Sequence, residues 1–220
     1  DDKQKTYGEA NPTLTFTYTG LVNGDEKAST EPTISTTATQ SSAVGDYPIT
    51  LEGGSDDNYE ITLEAGTLTI GKKALTITAD DQQKTYGEAN PTLTFSYEGL
   101  TNGDTKVTTE PSIATTAIQS SAVGTYPITL TGGSDDNYEI TLAAGTLTIG
   151  KKAVRITADD QQKTYGEANP TLTFSYEGLT NGDTKVSTEP TISTTATASS
   201  NTGTYPITLE GGSDDNYEIT

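Results

Sequence analysis

Apolar and polar residues alternate with a period of two along most of this chain. Between residues 74 and 152, Leu75 and Ile77 alternate with Thr76 and Thr78. Leu93, Phe95 and Tyr97 alternate with Thr94 and Ser96, and Tyr126, Ile128 and Leu130 with Pro127 and Thr129. Tyr138, Ile140 and Leu142 alternate with Glu139 and Thr141, and Leu147 and Ile149 flank Thr148. Such a pattern predicts strands with one buried and one wet face, on which β-branched threonine keeps strand propensity. It places the core on Leu93, Phe95, Tyr126, Ile128 and Ile140. No 3.6-residue period lasts longer than one turn. Asn102-Gly103 predicts a tight turn, because both positions tolerate positive φ. Gly132-Gly133 and Asn90-Pro91 punctuate other strand ends. Pro127 cannot donate to a ladder, so its position is expected at an edge or a bulge.

The pattern recurs. Tyr-Gly-Glu-Ala-Asn-Pro-Thr-Leu-Thr-Phe begins at Tyr7, Tyr86 and Tyr165, a period of 79 residues, and Gly-Gly-Ser-Asp-Asp-Asn-Tyr-Glu-Ile-Thr begins at Gly53, Gly132 and Gly211 with the same period. Residues 80–141 and 159–220 differ at 8 of 62 positions, with no gap. A period this long exceeds that of solenoids and suits a small domain that closes its own core. The terminal strand near Gly66 to Ile70, the joint Gly71-Lys72-Lys73 and the next first strand from Ala74 set the register. The repeats are then 1–73, 74–152 and 153–220. On this register repeat 1 begins past its first strand and repeat 3 ends before the strand equivalent to Gly145–Ile149. With no methionine, the chain reads as a window on a longer array.

About seven strands per repeat, with turns at sandwich-like spacing, predict an all-β tandem array of small immunoglobulin-like β-sandwich domains. The alternative is a β-grasp-like unit, which needs a helix between Leu100 and Ser112, where Asn102-Gly103 and Pro111 leave little room for one.

Composition narrows the function. The chain carries 31 acidic against 12 basic residues, a net charge of −19, and has no Cys, His, Met or Trp. Without Cys and His it lacks thiol chemistry, disulfides and the side chain most used for proton transfer near neutral pH. The acidic balance argues against nucleic acid, whose phosphates call for clustered Lys and Arg. No apolar run approaches a membrane span. A glycosidase-type carboxylate pair would find no tryptophan platform and would be tiled three times over, so no enzyme is expected. No cofactor is required either. Calcium is the one candidate ion, at Asp80, Asp81, Asp135, Asp136 and Asn137, hard oxygen donors beside the joint and near the far end of the repeat. The competing reading of the same residues is solvated turns in which Asp and Asn bond their own backbone. Lys-to-Asn and Thr-to-Gln cross-links have all their residue types present, but the sequence places no pair. The Tyr residues number twelve. All but Tyr86 of those in repeat 2 fall in phase with the apolar face, which reads as core with the hydroxyl at the rim.

The ordered set Tyr86-Gly87-Glu88-Ala89-Asn90-Pro91-Thr92-Leu93, Gly99 to Asp104, Gly124 to Ile128, Asn137-Tyr138 and Gly145 to Ile149 resembles the MBG-type repeats of large bacterial surface proteins. The resemblance covers all three copies and implies an extracellular stalk or fibre module on the bacterial cell surface. Its partners would be neighbouring repeats and other copies in a fibre, with no catalytic residues to carry over. The alternative is a repeated adhesive module that engages carbohydrate or host protein by avidity.

Overall fold

A computed structural model describes residues 1–220 as sixteen strands with no helix. Repeat 1 holds β1 (Lys3–Thr6), β2 (Thr33–Thr36), β3 (Gly45–Glu52) and β4 (Gly66–Gly71). The next seven are β5 (Lys73–Ala79), β6 (Gln82–Thr85), β7 (Phe95–Glu98), β8 (Ser112–Thr115), β9 (Gly124–Thr131), β10 (Tyr138–Ala143) and β11 (Gly145–Gly150). The last five are β12 (Lys152–Ala158), β13 (Phe174–Glu177), β14 (Thr191–Thr194), β15 (Ile207–Glu210) and β16 (Tyr217–Ile219). The chain is all-β, and the helix required by a β-grasp unit is not there.

These strands form two compact units. One comprises Asp1–Thr78, Phe95–Ser112 and Leu130–Ala143, the other Ala79–Thr94, Ile113–Thr129 and Ala144–Thr220. The first holds the sheet β1-β4-β3-β2 and the sheet β10-β5-β7. The second holds β6-β11-β9-β8, β13-β12-β16 and the pair β14-β15. Compact units and sequence repeats therefore divide the chain differently: repeat 2 gives its three-stranded sheet to one unit and its four-stranded sheet to the other. The joint is no linker. Only Lys72 separates β4 from β5, so a repeat runs straight from its last strand into the first strand of the next.

Both sheet types combine parallel and antiparallel pairs. β5 runs parallel to β10, with Leu75 opposite Ile140. β11 runs parallel to β6 and antiparallel to β9, with Leu147 opposite Gln82 and Tyr126. The inward residues are Leu75, Ile77, Val107, Ile128, Leu147 and Ile149, each at most 1% exposed. Of the expected core, Ile128 is fully buried, whereas Leu93, Phe95, Tyr126 and Ile140 are half-buried. The alternation is nonetheless in phase, since Thr94, Ser96, Thr129 and Glu139 are exposed. Proline obeys its rule locally within an interior strand. In repeat 1, β3 pairs with β2 only over Ile49–Glu52 and with β4 over Gly45–Ile49. Pro48 thus lies where β3 has one strand neighbour, and its missing N–H costs no ladder bond.

Candidate functional site

The most elaborated polar site joins consecutive repeats, and local chemistry prepares both of its halves. One half is the Tyr-Gly loop after β1. Thr6 N donates to Glu9 Oε2 at 2.8 Å, and Lys5 Nζ donates to the carbonyls of Glu9 at 2.9 Å and Thr39 at 2.6 Å. Asn11 Nδ2 donates to Ala38 O at 2.6 Å and Gln40 Nε2 to Gly8 O at 3.0 Å. Lys5 is 8% exposed, and desolvation lowers its pKa against the opposing pull of Glu9. Four side chains thus hold the loop that presents Tyr7 and Gly8.

The other half belongs to repeat 2. Asn102 (φ 56°) and Gly103 (φ 85°) form the expected tight turn, closed by Asp104 N donating to Thr101 O at 2.9 Å. The turn delivers Asp104 beneath Tyr138, the first residue of β10. Tyr138 Oη donates to Asp104 Oδ2 at 2.7 Å and accepts from Thr101 N at 3.0 Å.

The two repeats meet at six places. Tyr7 and Tyr138 pack edge to face, with centroids 5.4 Å apart and an interplanar angle of 82°. Tyr7 Oη donates to the same Asp104 Oδ2 at 3.1 Å, so one carboxylate oxygen ties both rings. Val44 N donates to Asn137 Oδ1 at 3.0 Å. Lys72 Nζ donates to Asp135 O at 2.8 Å, and Lys73 N to Asn137 O at 3.0 Å. Gly8 has φ +86°, and a Cβ there would lie 2.7 Å from Thr101 Oγ1. Only glycine satisfies both the backbone conformation and this approach. Tyr7 and Tyr138 are 6% and 3% exposed. Burial first, then the hydrogen bond to Asp104, pushes the Tyr138 hydroxyl up to about 12.

The arrangement recurs between repeats 2 and 3. Tyr86 and Tyr217 meet at 5.4 Å and 84°. Both donate to Asp183 Oδ2, at 3.2 and 2.7 Å. Val123 N donates to Asn216 Oδ1 at 2.9 Å, and a Cβ on Gly87 would lie 2.6 Å from Thr180 Oγ1. Tyr217 is likewise pushed up to about 12 by burial and Asp183.

Four of the five calcium candidates accept protein hydrogen bonds. Asp80 Oδ2 accepts from Thr94 Oγ1 at 2.7 Å, and Asp81 Oδ1 accepts from Thr146 N at 2.7 Å, fastening the start of β11. Asp135 Oδ2 accepts from Thr108 N and Oγ1 at 2.9 and 2.8 Å, and its Oδ1 from Asn137 N at 2.8 Å. Burial raises the Asp135 pKa, but those bonds and nearby Lys72 outweigh it and leave it lowered. Asp136 makes no side-chain bond, and Asn137 is a joint residue. No group of three or more His, Cys, Asp or Glu side chains is brought together to hold a metal. Tyr86, the one tyrosine out of phase with the apolar face, is buried after all, by the neighbouring repeat. Lys84, the counterpart of Lys5, carried no sequence signal; its burial shows only once the loop it holds is seen.

No curated protein matches the chain. The family model described as MBG domain (YGX type) matches residues 1–69, 75–148 and 154–220. With that coverage, and with one Tyr-Gly loop in each matched segment, the chain belongs to the MBG domain family of the YGX type, as three tandem repeats.

Proposed function

We propose that the chain is a structural spacer, a run of mutually locked repeats in a stalk or fibre on the bacterial cell surface. The carrying observation is the Tyr7–Asp104–Tyr138 lock and its copy Tyr86–Asp183–Tyr217. A flexible string of binding modules would not bury a pair of aromatic rings and tie both to one carboxylate at every joint. Most tyrosines that could have formed an adhesive stripe are turned inward or bonded, Tyr165 at 64% exposure being the exception. Tyr47 Oη and Tyr126 Oη donate to the carbonyls of Ala43 and Ala122, and Tyr97 Oη to Glu110. The wet faces carry threonine, serine and acid. The three ion pairs, Lys27–Glu31, Lys106–Glu110 and Lys185–Glu189, are exposed and contribute little to stability. Most of the negative charge is thus unpaired, which favours solubility and opposes lateral clumping at low salt. The role is mechanical rather than catalytic.

Stretching single molecules between their ends tests the spacer reading. The intact chain should resist extension until a joint ruptures, and Asp104→Ala should lower the force of one rupture event. Extension near zero force, or no effect of that substitution together with saturable binding to a glycan or host-protein panel, would favour the adhesive role.

A further inference from the structure

Of the five aromatic pairs in the chain, three join Phe to Tyr, and only Tyr7–Tyr138 and Tyr86–Tyr217 join Tyr to Tyr. Both of these sit at joints. We propose that each joint is a dityrosine cross-linking site, where a diffusible one-electron oxidant couples Tyr7 to Tyr138, and Tyr86 to Tyr217, through the ring carbons ortho to the hydroxyls. This goes beyond the spacer reading, because it assigns a covalent modification to the joint, and it rests on the joint's geometry rather than on the chain's role.

The packing brings the reacting carbons together. Centroids 5.4 Å apart, with interplanar angles of 82° and 84°, set the edge of one ring on the face of the other. The shared acceptor fixes which ends meet. Tyr7 Oη and Tyr138 Oη lie 3.1 and 2.7 Å from Asp104 Oδ2, and Tyr86 Oη and Tyr217 Oη lie 3.2 and 2.7 Å from Asp183 Oδ2. Two phenol oxygens held on one atom draw together the ortho carbons beside them, and those carbons carry the spin density of a phenoxyl radical. Tyr7 and Tyr86 are each 6% exposed, and Tyr138 and Tyr217 each 3%. Such burial keeps out the rings of a second chain but does not stop electron transfer to a small oxidant at the surface.

The carboxylate supplies the base. Burial and the bond to Asp104 hold the Tyr138 hydroxyl up at about 12, so at neutral pH its electron has to leave together with its proton. Each ring gives one electron to the oxidant and its hydroxyl proton to the carboxylate, which passes the protons in turn to water. Asp104 is half-buried and Asp183 exposed, so both reach solvent. The two ortho carbons then join, and the hydrogen on each moves to its ring oxygen as the rings regain aromaticity. Two phenols thus give one biphenol, two protons and two electrons, the electrons reducing two equivalents of oxidant. The chain has no Cys, so no disulfide can close these joints.

The test irradiates the 220-residue chain with a ruthenium tris-bipyridyl sensitiser and persulfate, whose ruthenium(III) product removes single electrons. Digestion and tandem mass spectrometry then locate the bonds. Linked peptides Tyr7–Tyr138 and Tyr86–Tyr217 are expected, each two hydrogens lighter than the sum of its parts, in a yield independent of protein concentration. Tyr7→Phe should remove the first and keep the second. Asp104→Asn keeps the shape but loses the base, and should slow the first coupling by about tenfold or more, with the second joint as internal standard. Tyr165, 64% exposed, reports encounters between chains. Absence of both linked pairs while Tyr165 couples between chains, a yield that rises with protein concentration, or an unchanged rate in Asp104→Asn would each overturn the proposal.

Discussion

Asp104→Ala is the sharpest probe of the lock. The substitution removes the oxygen that accepts from Tyr7 Oη at 3.1 Å and Tyr138 Oη at 2.7 Å. Hydrogen bonds to charged groups contribute about 1.5–3 kcal/mol each, less where the acceptor is partly hydrated, as half-buried Asp104 is. Tyr138 keeps a weak fallback, since its hydroxyl lies 3.4 Å from Thr101 O. The loss should therefore be about 2–3 kcal/mol in the unit holding that joint. The chain contains its own control. Asp25, the counterpart in repeat 1, is exposed and accepts from a single hydroxyl, that of Tyr59, at 2.7 Å. Asp25→Ala should change stability by no more than about 0.5 kcal/mol. Urea denaturation would measure both, and hydrogen exchange across 138–143 would localise the effect. Equal losses at Asp25 and Asp104, or a loss below about 0.5 kcal/mol at Asp104, would refute the lock as a source of stability.

Glycine separates sterics from conformation: Gly8→Ala and Gly87→Ala meet both a positive φ and a threonine side chain, whereas Gly166 has φ +90° and nothing within 4 Å of a Cβ. Gly166→Ala should cost about 1 kcal/mol and the other two clearly more, by urea denaturation. Ile128→Ala should cost about 2–5 kcal/mol and Thr129→Ala no more than about 0.5; equal losses would mean the face assignment of β9 is inverted. Alkali should destabilise the joints, because Tyr138 and Tyr217 hold their protons more tightly folded (about 12) than at the ordinary tyrosine value of 10.0 that they take when unfolded. That stability is whole below the unfolded value and is lost as pH rises from it toward about 12. Asp104→Ala should lower the Tyr138 midpoint in an absorbance titration. Excess chelator should leave the melting curve unchanged, since the carboxylates of Asp80, Asp81 and Asp135 already accept protein hydrogen bonds; a lowered melting temperature would favour the calcium reading instead.

Strands whose inward residues are aliphatic were legible, because threonine alternation marks a half-buried sheet face without tertiary information. β6 was not. Its sequence is Gln-Gln-Lys-Thr, and its inward residue is Lys84, 8% exposed, with Nζ donating to the carbonyls of Glu88 and Ile118. A lysine that buries its stem and satisfies its ammonium on backbone oxygens is indistinguishable in sequence from a solvated one. The Asn-Gly turn is plain in the sequence, but what it positions lies one residue on, at Asp104. The acidic turns leave two readings open in the sequence, because calcium ligands and backbone-capping carboxylates are the same residues in the same turns.

The lock was hidden for a different reason, which the repeat itself creates. Tyr7 has an Asp of the right type in its own repeat, Asp25, and another in the next, Asp104, and the sequence cannot say which it bonds. Chain direction decides: with only Lys72 between β4 and β5, the next repeat's first sheet follows the last strand at once. Tyr7 therefore reaches Asp104, 97 residues away and beyond one full period, as Val44 reaches Asn137 at 93. A contact longer than the period couples neighbours, so stability becomes a sum of repeat and interface contributions rather than of independent beads. It also constrains divergence, because the Tyr-Gly face of each repeat must fit the Asp104-type face of the next. Between 80–141 and 159–220 the substitutions fall at Thr108, Ser112, Ala114, Ile118, Gln119, Ala122, Val123 and Thr131. Tyr86, Gly87, Thr101, Asp104, Asp135, Asn137 and Tyr138 are untouched. Thr108 becomes Ser187 and keeps the hydroxyl that bonds Asp214, and Val123 becomes Thr202 at a position whose backbone N–H makes the contact in repeat 2. The copies vary where they face water or their own loops and agree where the side chains of one must fit the next, as head-to-tail joints require.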